Sequence, residues 1–421
     1  MLNSKNNNEK NNNEKNNNED KNIADVKYRL NKINSLIIGS GLEELYTLRG
    51  LNNNVNTLEF NSKMKISNDF DNDTRSVLGK VKIKMKQIIM NMGATLVYIK
   101  SGGYGHTFKG TICDDNGKEK FVFALKMVAY TKKKEYGDEY NLQRPENTEL
   151  VMLKALSYFV IMKSSPHIIL PICSFYTDIT PFIHLPDKKL IDTETKNYDN
   201  YRDFINRYKE GKYYETVSVI ISEWANEGDL SMFLKKNYKK LKLIHWKCLF
   251  FQIISVLAII QKKYPPFRHN DLKLNNILIS TTSMKTRQFN FENHVFVVPS
   301  IGYMVYLWDF DFSCISGTIE NLKVQQKCFN QLNITSKENK YYDIHYLFGT
   351  LITKAFLPNF LEDKNVPLEV KEFINFVVPP EYRYYKGNKL VNDKYRLQQN
   401  IELHTPNNLM HNNFFSDFKI K

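Results

Sequence analysis

The densest chemistry in this chain lies in His269-Asn270-Asp271-Leu272-Lys273-Leu274-Asn275-Asn276-Ile277-Leu278. An aspartate, a lysine two positions on and an asparagine five positions on lead into an apolar run. Phosphoryl transfer needs those types at that spacing. A carboxylate (Asp271) accepts or orients the proton of an attacking hydroxyl, and an ammonium (Lys273) neutralises charge on the group in flight. An amide oxygen (Asn276) is a hard ligand for a metal ion that keeps several of its waters.

A second carboxylate site ends the run Leu307-Trp308-Asp309-Phe310-Asp311-Phe312. Val305 and Leu307 alternate ahead of Asp309, so Asp309 falls where a strand would stop. Choosing Asp311 would put Asp309 inside the strand pattern. Asp309 is therefore expected to take the metal that bridges the phosphates.

Ser101-Gly102-Gly103-Tyr104-Gly105 offers a turn whose glycines let backbone N–H groups approach phosphate closely. Such turns are common, and the signal gains weight from its position. Twenty-one residues after Gly105, at the end of a β-prone run, stands Lys126, within reach of phosphates held by Gly102, Gly103, Tyr104 and Gly105. A buried lysine needs a counter-charge. Glu149 opens a run with helical apolar spacing (Leu150, Leu153, Leu156) and is the preferred partner; Glu135, Glu139 and Glu146 are its rivals. The stretch from Glu223 to Leu230 follows another strand and reads as a linker between two halves. Backbone groups of Glu223 and Ala225 are expected to meet an adenine edge, with Asp229 near a ribose.

The elements that must position these residues fall in a clear order. Strands are expected at Thr95–Lys100, Phe121–Met127, Ile168–Phe175 and Thr216–Ser222. Helices are expected at Thr148–Tyr158, Leu230–Lys236, Trp246–Lys262, Ile344–Phe356 and Leu368–Val377. A strand-rich part followed by a helix-rich part predicts an α+β fold in two lobes. Residues 1–22 are an Asn/Lys/Glu repeat with no apolar surface to offset ordering, and are expected to be disordered. Residues 23–92 form an extension without an assigned role. Residues 93–418 are expected to form the catalytic domain, with an N-lobe over 93–222 and a C-lobe over 226–418.

The chain has 421 residues, is 42% hydrophobic and carries a net charge of +14. Its five scattered cysteines form no CxxC pair, which argues against a zinc site or a disulfide framework. The apolar stretch Cys248–Ile260 is too short to cross a bilayer and reads as a buried helix, so the protein is expected to be soluble or peripheral. Heavy use of Lys, Asn, Ile and Tyr makes codon bias the simpler source of the charge; an anionic surface is the alternative. No nucleic-acid module accompanies the short lysine runs.

In this order the motifs resemble those of the eukaryotic protein kinase family, over roughly residues 93–418. Tyr342-Asp343-Ile344 resembles the start of the helix whose aspartate braces the catalytic loop, and Leu409–Phe415 is similar to the usual kinase ending. His-Asn-Asp-Leu-Lys paired with Asp-Phe-Asp-Phe-Ser is most similar to the poxvirus late serine/threonine kinases of virion assembly. That resemblance implies a two-lobed kinase fold, ATP with Mg²⁺ or Mn²⁺, and Ser/Thr hydroxyls of proteins as acceptors. It also implies a place in virion morphogenesis, in host cytoplasm and virion, with viral structural proteins or an anionic membrane surface as partners.

Several positions depart from the kinase pattern. Lys100 stands where the first loop glycine is usual, and Thr107 where a valine caps the adenine. Asn270 replaces the arginine that reads a phosphorylated activation loop, so no activation through that arginine is expected. Asp311 holds the place of the glycine in Asp-Phe-Gly. No Ala-Pro-Glu lies between Asp309 and Asp343, which implies a remodelled substrate platform. The spans 178–215 and 281–303 read as insertions. Small-molecule kinases of the choline or aminoglycoside type share parts of this pattern, and a catalytically inactive scaffold is the other alternative. Lys273 and the Glu149 register argue against the first. The presence of Lys126, Asp271, Asn276 and Asp309 argues against the second.

Overall fold

The computed structural model describes residues 26–39, 82–102, 105–186, 198–284 and 286–420. The expected disordered tail, Gly103, Tyr104 and most of the 23–92 extension lie outside the described residues. The extension contributes helices α1 (Val26–Gly39) and α2 (Met85–Met92). Gly93 stops α2 in the left-handed region, φ 60°, where its N–H reaches back to Ile89 and Met90.

Strands β1 (Ala94–Ser101), β2 (Gly105–Cys113) and β3 (Glu119–Thr131) form a meander. Helix α3 (Pro145–Ile161) follows, then β4 (Pro171–Asp178), helix α4 (Tyr198–Lys209) and β5 (Tyr213–Glu223). The five strands make one antiparallel sheet in the order β1-β2-β3-β5-β4. Its outer strand β1 alternates between half-buried and exposed positions. Strand β3 is buried almost continuously from Phe123, because α3 covers it. Helix α3 begins at Pro145, and the fully buried Arg144 ahead of it donates to the carbonyls of Thr131 (2.6 Å) and Gly137 (2.8 Å). Those bonds set where the helix starts, and with it the turn that faces β3.

After β5 helices dominate: α5 (Leu230–Asn237), α6 (Leu243–Lys263), α7 (Tyr342–Leu351) and α8 (Leu368–Val377). Between α6 and α7 run three short strand pairs: β6 (Phe267–Arg268), β7 (Ile277–Thr281), β8 (Thr286–Phe291), β9 (His294–Pro299), β10 (Tyr303–Leu307) and β11 (Cys314–Ile315), paired β6–β11, β7–β10 and β8–β9. Helix α6 is the helix among the described residues that is long and apolar enough to cross a bilayer. It is instead the core of this half, buried from Trp246 through Gln261. The expected insertions become α4 with its flanks and the β8–β9 hairpin. The expected helix at Ile344–Phe356 ends earlier, at Leu351. The architecture is mixed helix and sheet, with the antiparallel sheet in the N-terminal part, as a kinase-like fold requires.

Candidate active site

Lys126 is placed by its strand. It lies opposite Thr107 on β2 and Ile220 on β5 and is nearly buried. Its Nζ stands 2.7 Å from Glu149 Oε1 and 2.8 Å from Asp309 Oδ1, so one ammonium joins α3 to the loop after β10. Of the rival glutamates, Glu135 is exposed in the turn Lys134–Tyr136, and the other two are engaged elsewhere. Glu146 accepts from Arg144 and the Thr131 N–H, and Glu139 from Thr216. Gly105 leaves room for the lysine: a Cβ there would sit 3.0 Å from Lys126 Cε and 3.2 Å from Val128, tight enough to press on the lysine stem.

Electrostatics separate the two carboxylates that share Lys126. Burial disfavours the charge on both. At Glu149 burial wins and raises the carboxyl. At Asp309 the lysine outweighs burial and holds it at about 2. Lys126 itself is raised: burial opposes its charge, but Asp309, Glu149 and Asp311 together exceed that penalty.

Asp309 follows the end of β10 and has φ 63°, a left-handed backbone that an aspartate seldom adopts. Asp311 does not share its role. It pairs with the buried Lys323, and the Asn321 side chain donates to the carbonyls of Asp311 and Ser313. The segment after Asp309 is thus fastened from within.

The catalytic loop is held from beneath by Asp343, fully buried in the first turn of α7. Its two oxygens accept the N–H groups of His269 (2.7 Å) and Asn270 (2.8 Å). Asn270 sits at φ 65°, a conformation that asparagine tolerates better than most residues. His269 Nε2 donates to the Trp308 carbonyl, 3.0 Å, which locks this loop to the one bearing Asp309. Asp271 Oδ2 lies 2.9 Å from Lys273 Nζ and 3.0 Å from Asn276 Nδ2; its Oδ1 lies 2.6 Å from Arg396 Nη2. Asn270 also ties the loop to two other segments. Its Nδ2 donates to the carbonyls of Phe312 (3.1 Å) and Thr335 (3.0 Å), while Arg268 reaches Asn333, Thr335 and Lys337.

Lys126, Glu149, Asn276 and Asp309 line a cavity of about 340 Å³ that also takes in Gly102 and Gly105. It reaches past Lys126 toward Lys133 and Arg207. Glu223, Ala225 and Asp229 are not among its lining residues. The Glu223 side chain turns away to pair with Arg29 of α1 at 2.6 Å, and Asp229 caps α5 by accepting from the Met232 N–H at 2.9 Å.

The donor set fits a hard cation. Asn276 Nδ2 is committed to the Asp271 side chain and carbonyl, which leaves the amide oxygen for a ligand. No group of three His, Cys, Asp or Glu side chains able to hold a metal occurs among the described residues. Magnesium bound by one carboxylate and one amide oxygen, with phosphate and water completing its shell, needs no such group.

Sequence reasoning missed Arg396, Arg29, Lys323 and Arg268. Arg396, Arg29 and Arg268 are buried charges fixed by partners far along the chain, and Lys323 is a buried charge paired with Asp311 twelve residues before it; no local pattern marks any of them.

A lysine shared by a helix glutamate and a post-strand aspartate, on a cavity that Asn276 of the Asp–Lys–Asn loop also lines while Asp271 and Lys273 stand outside its lining, defines a kinase-type phosphotransfer site. The family model of poxvirus serine/threonine protein kinases matches residues 124–419. The chain is 43% identical over 327 residues to a serine/threonine-protein kinase of Acanthamoeba polyphaga mimivirus, covering 76% of this chain and 68% of that one. It is 29% identical over 212 residues to serine/threonine-protein kinase 2 of vaccinia virus, covering 47% of this chain and 42% of that protein. A serine/threonine-protein kinase of Dictyostelium discoideum is 33% identical over 141 residues, 32% of this chain and 11% of that one. The chain belongs to the poxvirus serine/threonine protein kinase family and is a serine/threonine protein kinase; the small-molecule and inactive-scaffold alternatives give way to that membership.

Proposed function

We propose that Asp271 is the base that receives the proton of a protein serine or threonine hydroxyl. As the hydroxyl oxygen bonds to the γ-phosphorus of ATP, the bond to the β-phosphate oxygen breaks and ADP departs. Lys273, next to Asp271, balances charge on the group in transit. Lys126 holds the α- and β-phosphates, and Glu149 keeps Lys126 in line. Gly102 and Gly105, with Gly103 and Tyr104 between them, cover the phosphates. The linker backbone at Glu223 and Ala225 meets the adenine, with Asp229 on the ribose side. Asp309 and Asn276 would hold magnesium or manganese, which would supply neutralisation of the phosphate charge. The sheet-rich part and the helical part act as the two lobes of a kinase, and the cavity between them is the nucleotide cleft.

The observation that carries this reading is the convergence of Lys126, Glu149 and Asp309 within hydrogen-bond distance, on the cavity that Asn276 also lines. Most of the rate acceleration then comes from positioning and fixed charge. Transfer of labelled γ-phosphate to casein or to the protein itself, with Mg²⁺ or Mn²⁺, tests it. Asp271→Ala should lower turnover by on the order of 10²-fold or more while ATP still binds. Asp309→Ala should abolish metal-dependent labelling. Normal turnover by Asp271→Ala would remove the base from its place.

The family resemblance supports a further proposal: the kinase acts in virion morphogenesis, in host cytoplasm and in the particle, on viral structural proteins at or near an anionic membrane surface. Blocked particle assembly in a virus carrying Asp271→Ala, restored by the wild-type chain in trans, would support that role. Normal particles from the mutant virus would end it.

A further inference from the structure

Arg396 lies 125 residues beyond Asp271 in sequence and is 6% exposed. Its Nη2 stands 2.6 Å from Asp271 Oδ1, and its Nη1 donates to the Asn270 carbonyl and to the Tyr342 hydroxyl (2.9 Å). The guanidinium also lies 4.0 Å from the centre of the Tyr346 ring. Its backbone is equally fixed. Asn392 Oδ1 accepts the Arg396 N–H at 2.9 Å, and the Asn392 N–H returns to the Arg396 carbonyl, in a turn closed by the buried Val391 and Leu397.

We propose that Arg396 is a positioning residue for phosphoryl transfer: it holds Asp271 by Oδ1 and presents Oδ2 to the substrate hydroxyl. The proposal rests on the reading of Asp271 as the base. The two cations on this carboxylate differ in kind. Lys273, on Oδ2, has a flexible stem and a side chain 27% exposed. It can turn toward a phosphoryl group, which leaves Oδ2 with the Asn276 Nδ2 contact and room for a second donor. Arg396, on Oδ1, is clamped at both guanidinium nitrogens and cannot follow. A planar fork held on three acceptors fixes the plane of the carboxylate as well as its charge, which a lysine would not do. The chain has no Ala-Pro-Glu between Asp309 and Asp343, and Arg396 reaches the catalytic loop from below without one.

Steady-state kinetics on Arg396→Gln, Arg396→Lys, Asp271→Asn and the Asp271→Asn/Arg396→Gln double variant decide it, with ATP binding measured for each. Arg396→Gln should lose on the order of 10- to 100-fold in kcat with the KM for ATP unchanged. Arg396→Lys should recover part of that loss. In the Asp271→Asn background the arginine substitution should cost nothing more, because its effect passes through the carboxylate. Guanidinium added to Arg396→Ala should restore turnover in a saturable way, which a merely structural role would not allow. An inactive Asp271→Asn beside an Arg396→Gln of wild-type or raised kcat would overturn the proposal and leave the base standing. An active Asp271→Asn would overturn the base, and the proposal with it. Should Arg396→Gln fail to bind ATP, Arg396→Lys decides: wild-type kcat overturns the proposal, and reduced kcat at unchanged KM upholds it.

Discussion

The catalytic loop and the glycine turn face one another across the cavity, and they are held in different ways. The loop from Arg268 to Asn276 is held by the buried side chains of Asp343 and Arg396 and by the carbonyls of Trp308 and Thr335. Among the described residues, the flanks of the turn between β1 and β2 show no comparable net. They are fastened by α4, where the Asn200 side chain donates to the Ser101 carbonyl at 3.2 Å and the His106 ring lies 4.7 and 4.5 Å from the rings of Tyr201 and Phe204. The family match begins at residue 124 and so takes in the loop but not this turn. The loop is built into the core, whereas the described flanks of the turn lie on β1 and β2 against α4. A site that must fix one reactant and admit another is served by that division.

The largest effect belongs to the loop. Asp343→Ala would leave two buried amides without acceptors, a loss of about 2–6 kcal/mol at roughly 1–3 per group. The urea midpoint should fall sharply, and phosphoryl transfer should fall with it at temperatures where the protein is still folded. An Asp343→Ala protein as stable and active as wild type would mean the loop keeps its shape without its brace, and the contrast with the turn would vanish.

Local and distant causes explain what the sequence could reveal. Lys126, Asp271, Asn276 and Asp309 stand in short runs where strand alternation and fixed spacing set their direction, so their types could be read from neighbours alone. Glu149 needed one further step, the helical spacing of Leu150, Leu153 and Leu156; Arg144 and Thr216 hold two of its rivals, Glu146 and Glu139, and exposure sets Glu135 apart. The linker is a mixed case: β5 ends at Glu223 as its pattern implies, yet nothing local says that the Glu223 side chain is claimed by a helix 194 residues earlier. The residues 178–215 could be recognised as surplus length. That they carry a helix gripping β1 and β2 follows from ring packing between elements distant in sequence. A buried charge held by remote partners leaves no period of 2 or 3.6 to find.

The sheet half has one strong anchor, and it comes from the extension. Arg29 pairs with Glu223 through Nε at 2.8 Å and Nη2 at 2.6 Å, and donates to the carbonyls of Pro166 and Ile168. The same guanidinium lies 5.3 Å from the centre of the Tyr306 ring on β10, so α1 bridges the linker and the helical half. Arg29→Ala leaves Glu223 largely buried with the Leu170 N–H as its remaining partner among the described residues, and should destabilise the protein by about 2–3 kcal/mol. Denaturant unfolding checks the size. Weaker ATP binding in the same variant would show that the brace also shapes the linker; an unchanged midpoint would mean that α1 merely rests there.

The smallest effect concerns pH, and it separates the two regions by their histidines. His106 is buried between β2 and α4, with its Nδ1 2.6 Å from Ser101 Oγ, and burial lowers it from 6.5 to about 3. An unfolded chain takes up a proton at this residue below pH 6.5, while the folded chain declines it until near pH 3. Stability therefore falls as pH drops through that window, by on the order of 1 kcal/mol at pH 5.5 from this group. His345 in α7, lowered to about 4, adds a loss of the same sign in the helical half. The melting temperature of the wild type should decline between pH 7 and 5.5, and His106→Phe should flatten part of that slope. The same substitution in the helical half, His345→Phe, should remove a separate part. A slope that ignores His106→Phe would mean that α4 does not hold the imidazole neutral, and that the cover over the phosphates is looser than its aromatic packing implies.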